Sequence, residues 1–116
     1  MDIEELERNW TERGFSFGVG TIEAGDAVDE AFHEDKDELV LMENGEYEFT
    51  IDSESFWQNG NIEVLIPAGS VHSIKNLGRR DSKIYFGYKA KNFLQPHAAG
   101  LRQAALASVA DASRYA

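Results

Sequence analysis

The chain has 116 residues, 42% hydrophobic and 11% aromatic, which suits one globular domain with a single core and is too apolar for a disordered chain. Its 11 Lys and Arg against 21 Asp and Glu leave a formal net charge of −10, a surface that repels nucleic-acid phosphates and anionic membranes. The absence of cysteine excludes disulfide scaffolds, zinc fingers, iron–sulfur sites and thiol catalysis. No apolar run approaches the roughly 20 residues of a membrane span, and Met1-Asp2-Ile3-Glu4-Glu5 is acidic rather than leader-like. The expectation is a single cytoplasmic domain covering 1–116.

Residues 2–13 predict a short amphipathic helix with Ile3, Leu6 and Trp10 on one stripe. Phe15, Phe17 and Val19 then alternate with Ser16 and Gly18, which is strand spacing. An acidic connection from Glu23 to Asp37 leads into a mostly apolar strand, Glu38 to Glu43, and Asn44-Gly45 predicts a tight hairpin with positive φ. Tyr47, Phe49 and Ile51 alternate with Glu46, Glu48 and Thr50 on the return strand. Ser53 to Asn61 reads as a polar loop interrupted by Phe56 and Trp57, which suit either a cavity rim or a barrel edge. Ile62, Val64 and Ile66 form a strand stopped by Pro67, and Val71–Lys75 and Lys83–Lys89 are two more around the turn 77–81. Short strands at such intervals predict an all-β sandwich or small antiparallel barrel over about 15–90. The Ala-rich tail, about 97–114, predicts a C-terminal helix.

Three histidines are candidates for chemistry. His33 precedes Glu38 by five residues at the entrance to a strand, and His72 opens another. Glu38 shares strand parity with Val40 and Met42, and His72 with Ile74, so both are expected to point inward. A buried carboxylate needs a partner, either a metal or a hydrogen-bonded His. Two imidazoles and a carboxylate suit a divalent first-row metal and leave coordination positions for water or substrate. His97 is assigned no role, and Tyr88 shares a face with Ile84 and Phe86 and reads as core. The acids between Asp26 and Asp37 read as a solvated approach to the barrel.

These residues stand at the intervals of two motifs of the cupin superfamily, which the sequence resembles. The first motif, Gly-x5-His-x-His-x3,4-Glu-x6-Gly, is matched by Gly25, His33, Glu38 and Gly45, with Ala31 in place of the first His. The second, Gly-x5-Pro-x-Gly-x2-His-x3-Asn, is matched by Pro67, Gly69, His72 and Asn76, with Asn61 in place of the first Gly. Asn61 can adopt the left-handed conformation of the glycine it replaces. The resemblance implies a cupin jelly-roll barrel with His33, Glu38 and His72 as three of the family's four metal ligands, Pro67 and Gly69 shaping the turn before His72, and Asn76 as a structural Asn. The ion is expected to be Zn, Fe, Ni or Mn. Ala31 precedes His33 by two residues, so in an extended stretch Ala31→His is expected to add the fourth ligand and tighten metal binding.

Two functions follow from the resemblance. One is a metal-dependent enzyme acting on a small organic molecule through a 2-His-1-Glu centre; the other is a non-catalytic small-ligand-binding module, with or without metal. Cupin relatives are commonly homodimers, and the stripe of Ile3, Leu6 and Trp10 offers spare apolar surface. A homodimer that binds neither nucleic acid nor membrane is therefore expected.

Overall fold

The computed structural model describes residues 2–91, so the predicted C-terminal helix and His97 lie outside the described residues. Helix α1 (Ile3–Glu12) starts at Asp2, whose Oδ1 accepts from the Glu5 amide at 3.2 Å, while Glu4 and Glu5 place negative charge at the positive end of the helix dipole. The helix ends at Arg13, and Gly14 supplies a φ of 91° that lets the chain turn away.

Eight strands follow: β1 (Gly18–Ile22), β2 (Ala27–Phe32), β3 (Lys36–Met42), β4 (Tyr47–Ile51), β5 (Glu54–Gln58), β6 (Val64–Ile66), β7 (Val71–Asn76) and β8 (Ser82–Ala90). They form two four-stranded antiparallel sheets, ordered β1-β8-β3-β6 and β2-β7-β4-β5. Most connections cross from one sheet to the other, which is the jelly-roll way of closing two sheets over one core. The core between them takes Val40, Met42, Ile66 and Ile84 from one sheet and Tyr47, Phe49 and Ile74 from the other. On the outer face of the first sheet, α1 lays Trp10 against Leu39, Leu41 and Tyr85. The Trp10 indole N–H donates to Glu63 Oε1 at 2.8 Å, and Arg13 pairs with the same carboxylate at 2.9 Å.

Five sequence expectations change. Phe15 and Phe17 precede the first strand, which begins at Gly18; Gly20 and Ile22 supply its buried positions, while Val19 is exposed. The acidic connection contains β2, because main-chain pairing with β7 outweighs the low strand propensity of its acids. Within the same stretch Asp35 is buried and Asp37 accepts from the Ala68 amide at 2.8 Å, so these two are not merely a solvated approach. Asn44-Gly45 does not close a hairpin: β3 and β4 belong to different sheets, and neither residue has a positive φ. The polar loop 53–61 contains β5, which pairs with β4 as a hairpin turned by Asp52 at φ 56°. As an edge strand wetted on both faces it lacks the alternation that marks a half-buried strand. Phe56 stacks on Phe49 at 5.4 Å, and Trp57 stands 63% exposed, so this pair belongs to a barrel edge.

Candidate metal centre

Glu38 lies on β3, hydrogen-bonded between the neighbours β6 and β8 and opposite Ile66 and Tyr88. His72 lies on β7 of the other sheet, opposite Ile51 on β4 and Ala31 on β2. His33 sits in the short turn between β2 and β3. The turn that carries Pro67 and Gly69 docks against this segment. The Gly69 amide donates to the His33 carbonyl at 3.0 Å, and Asp37 holds the Ala68 amide. Gly69 has a φ of 86°, a conformation that a residue with a Cβ resists. A proline to end β6 and a left-handed glycine to start the return thus deliver His72 next to His33, with ring centroids 5.3 Å apart.

All three side chains predicted as ligands converge. His33 Nε2 lies 2.9 Å and His72 Nε2 3.2 Å from the same oxygen, Glu38 Oε1, and the exposures of His33, Glu38 and His72 are 0%, 0% and 1%. His33 Nδ1 is 2.7 Å from the Lys36 carbonyl, which can only accept, so this nitrogen carries a proton. In the neutral form of His33 the other nitrogen, Nε2, would turn a lone pair toward a carboxylate oxygen. Two acceptors at 2.9 Å repel unless a proton or a cation stands between them. The second carboxylate oxygen, Glu38 Oε2, is buried with no hydrogen-bond partner among the described residues. Burial pushes the Glu38 carboxyl up, but contacts with His33 and then His72 outweigh it and hold the group below the usual carboxylate range.

The donor set fits a divalent cation. With metal–ligand bonds of about 2.1 Å, adjacent ligand atoms on one ion lie roughly 3.0 Å apart in octahedral and 3.4 Å in tetrahedral geometry. The two His–Glu separations fall at or near that range, and one chosen atom from each of His33, Glu38 and His72 lies within 4.8 Å of the others. The Lys36 carbonyl makes the outer contact that commonly orients a ligating imidazole. Tyr88, read from the sequence as core, packs its ring edge-on to His33 with centroids 5.2 Å apart. Its position opposite Glu38 was available only from strand register, and a main-chain carbonyl such as that of Lys36 leaves no mark in sequence. Asn76 is structural as expected: its amide donates to the carbonyls of Ile22 and Arg80 and its oxygen accepts from Gly78.

No protein-family model matches the sequence, and no curated protein does. Solved structures do match. The cupin domain of Schizosaccharomyces pombe Cnp3 superposes with a TM-score of 0.62 at 22% identity, over 69% of this chain and 55% of that one. A predicted oxalate decarboxylase from Thermotoga maritima gives 0.61 at 19% identity, covering 78% and 75% of the two chains. A recombinant oxalate oxidase in complex with glycolate gives 0.59 at 18% identity, covering 69% and 44%. The chain thus spans about half the length of the first and less than half of the third. At these identities the likeness is one of fold, and it agrees with the strand order: this chain folds as a cupin.

Proposed function

We propose that this cupin binds a divalent metal through His33, Glu38 and His72 and acts on a small organic molecule at that centre. The observation that carries the reading is the convergence of His33 Nε2 and His72 Nε2 on one buried carboxylate oxygen, Glu38 Oε1, at 2.9 and 3.2 Å. When bound, the ion would supply Lewis acidity, or oxygen chemistry if it is iron. The Lys36 carbonyl holds His33 in the tautomer that presents Nε2, and Glu38 contributes the negative charge that offsets a dication. Ile66, paired with Glu38 on β6, and Val40, two residues along β3, are fully buried and keep its surroundings apolar, which strengthens charge interactions there. Three protein ligands leave coordination positions for a substrate oxygen. Two of the structural relatives are a predicted oxalate decarboxylase and an oxalate oxidase holding glycolate, which supports a small carboxylic acid as the substrate class.

A second reading is favoured by the near-complete burial of all three side chains: a closed module that holds metal or ligand without turnover. Cobalt(II) titration of tag-free protein separates the cases. Binding with a spectrum that shifts on adding azide supports an accessible centre, and oxalate or glycolate turnover then makes it an enzyme. Binding with a spectrum indifferent to azide supports the closed module. Absence of metal from the purified protein, with no uptake on titration, would remove both metal readings. The homodimer is a separate proposal; a monomer mass by sedimentation would overturn it.

A further inference from the structure

A pocket lies at the opposite end of the barrel. His72 is near the start of β7 and Asn76 ends it; Glu38 is near the start of β3 and Glu43 follows its last residue. Five residues of strand separate Glu38 from Glu43, roughly 17 Å. There the β3–β4 connection, the approach to β6 and the β7–β8 turn surround a pocket of about 720 Å³. Its lining includes Arg79, Arg80 and Lys83, three of the chain's 11 basic residues, gathered in one place on a protein of net charge −10.

Within the described residues, none of these three cations has a salt-bridge partner. The two lining carboxylates, Glu43 and Asp81, keep their charge, but each accepts a main-chain hydrogen bond. Glu43 Oε1 accepts from the Lys83 amide at 2.7 Å, and Asp81 Oδ1 accepts from the Ala24 amide at 3.0 Å. The turn bearing the arginines is pre-organised. The buried Asn76 side chain grips the Arg80 carbonyl at 2.8 Å and the Gly78 amide at 2.9 Å, so the Arg79–Arg80 backbone has little freedom to lose on binding. Hydroxyls add to the lining through Tyr47 and Ser82, which hydrogen-bond each other.

We propose that this pocket binds a small organic anion, through a carboxylate or phosphate group, with Arg79, Arg80 and Lys83 as its charge partners. Guanidinium groups present forked donors that match a planar carboxylate or a phosphate bidentately. Against Glu43 and Asp81 the lining keeps a formal excess of one positive charge, and its three cations have no ion-pair partner among the described residues, so an anion is the ligand that fits. The pocket is spatially separate from the histidine centre, so the inference does not depend on metal at that site.

The test uses the full chain, with inorganic phosphate and succinate as probes and sodium chloride holding ionic strength constant. The expected result is saturable amide shifts confined to residues 43–45 and 76–83. Arg79→Ala/Arg80→Ala should weaken binding at least tenfold, whereas Arg8→Ala/Lys75→Ala, an equal change in net charge, should leave it within about twofold; both estimates rest on the strength of charge-assisted hydrogen bonds. Arg79→Lys/Arg80→Lys, which keeps the charge and removes the fork, should fall between. Stronger phosphate binding would indicate a phosphorylated ligand, and stronger succinate binding a carboxylic acid. No saturable binding of either probe at low millimolar concentration would overturn the proposal. So would equal losses in the two double-alanine variants.

Discussion

Replacing Glu38 with Gln separates the metal role of this side chain from its packing role. Gln has nearly the same shape but no charge, and its amide can donate to the His33 Nε2 lone pair that the Lys36 contact leaves facing residue 38. Without metal the substitution should therefore cost little, within about 1 kcal/mol of wild type, whereas Glu38→Ala should cost about 2–3 kcal/mol through lost hydrogen bonds and a cavity. With metal the order changes. If loss of the anionic ligand weakens binding about 100-fold, a magnitude that even outer-contact substitutions reach, metal at 100 times the wild-type Kd stabilises wild type by about 2.7 kcal/mol and E38Q by about 0.4 kcal/mol. At roughly 4 °C per kcal/mol for a domain of this size, the Tm increments are about 10 °C and 2 °C. Thermal melts with chelator and with cobalt(II) or zinc provide the measurement. Equal increments in the two proteins would show that Glu38 is not a ligand. The pH dependence gives a second check. The folded carboxyl titrates below its unfolded value, so its contribution is present above about pH 4.3 and is lost as pH falls through the folded value. E38Q without metal should lack that acid-limb component.

Metal uptake in chelator competition should weaken from about pH 7 to about pH 5, because protons compete for imidazole and carboxylate ligands; a flat profile would exclude histidine ligation. Gly60→Ala should destabilise by about 3 kcal/mol or more, since Gly60 combines a φ of 86° with a Cβ position that collides with the Glu43 carbonyl. Gly69→Ala has the same φ but open space around the added carbon, so about 1–2 kcal/mol is expected, and equal costs in urea denaturation would refute the distinction. Glu63→Gln keeps an acceptor for the Trp10 indole but loses the charge opposite Arg13. The Arg13 hydrogen bond lowers the Glu63 carboxyl below its ordinary range against the opposing effect of burial, so the benefit exists above about pH 4.3 and vanishes as pH falls through the folded value. With both side chains partly exposed it should amount to about 0.5–1 kcal/mol at neutral pH and shrink toward pH 3.

The strands legible in the sequence were those with one dry and one wet face, or an apolar run: Tyr47 and Phe49, the stretch around Val40, and His72 and Ile74 are buried where the pattern put them, while Ile51 is half-buried. β2 and β5 escaped because pairing rather than patterning makes them strands. One is rich in acids, and the other is exposed at nearly every position. Asn44-Gly45 misled for a related reason, since the same dipeptide that closes a two-residue hairpin also serves a crossing between sheets, and local sequence does not say which sheet receives the next strand. The triad was readable because parity and motif spacing agree on Glu38 and His72. What orients it was not: the Lys36 carbonyl and the Gly69 amide act through backbone, whose positions depend on the whole fold.

The placement of the triad links chemistry to stability. Glu38 belongs to the β1-β8-β3-β6 sheet, His72 to the β2-β7-β4-β5 sheet, and His33 to the turn that crosses between them. An ion shared by these three side chains would tie the two sheets together at one end of the sandwich. Its binding free energy would then appear as folding free energy, because the unfolded chain holds no such arrangement. The metal-free protein must meet the same geometry with protons alone, around a carboxylate that has one oxygen between two imidazoles and the other without a partner among the described residues. The remaining apolar core, with Trp10 sealing the outer face of the first sheet, is built without the triad, so the barrel is expected to stay folded in that state. Metal should therefore raise stability and stiffen the His33 end, leaving the Asn76-braced turn at the far end little changed.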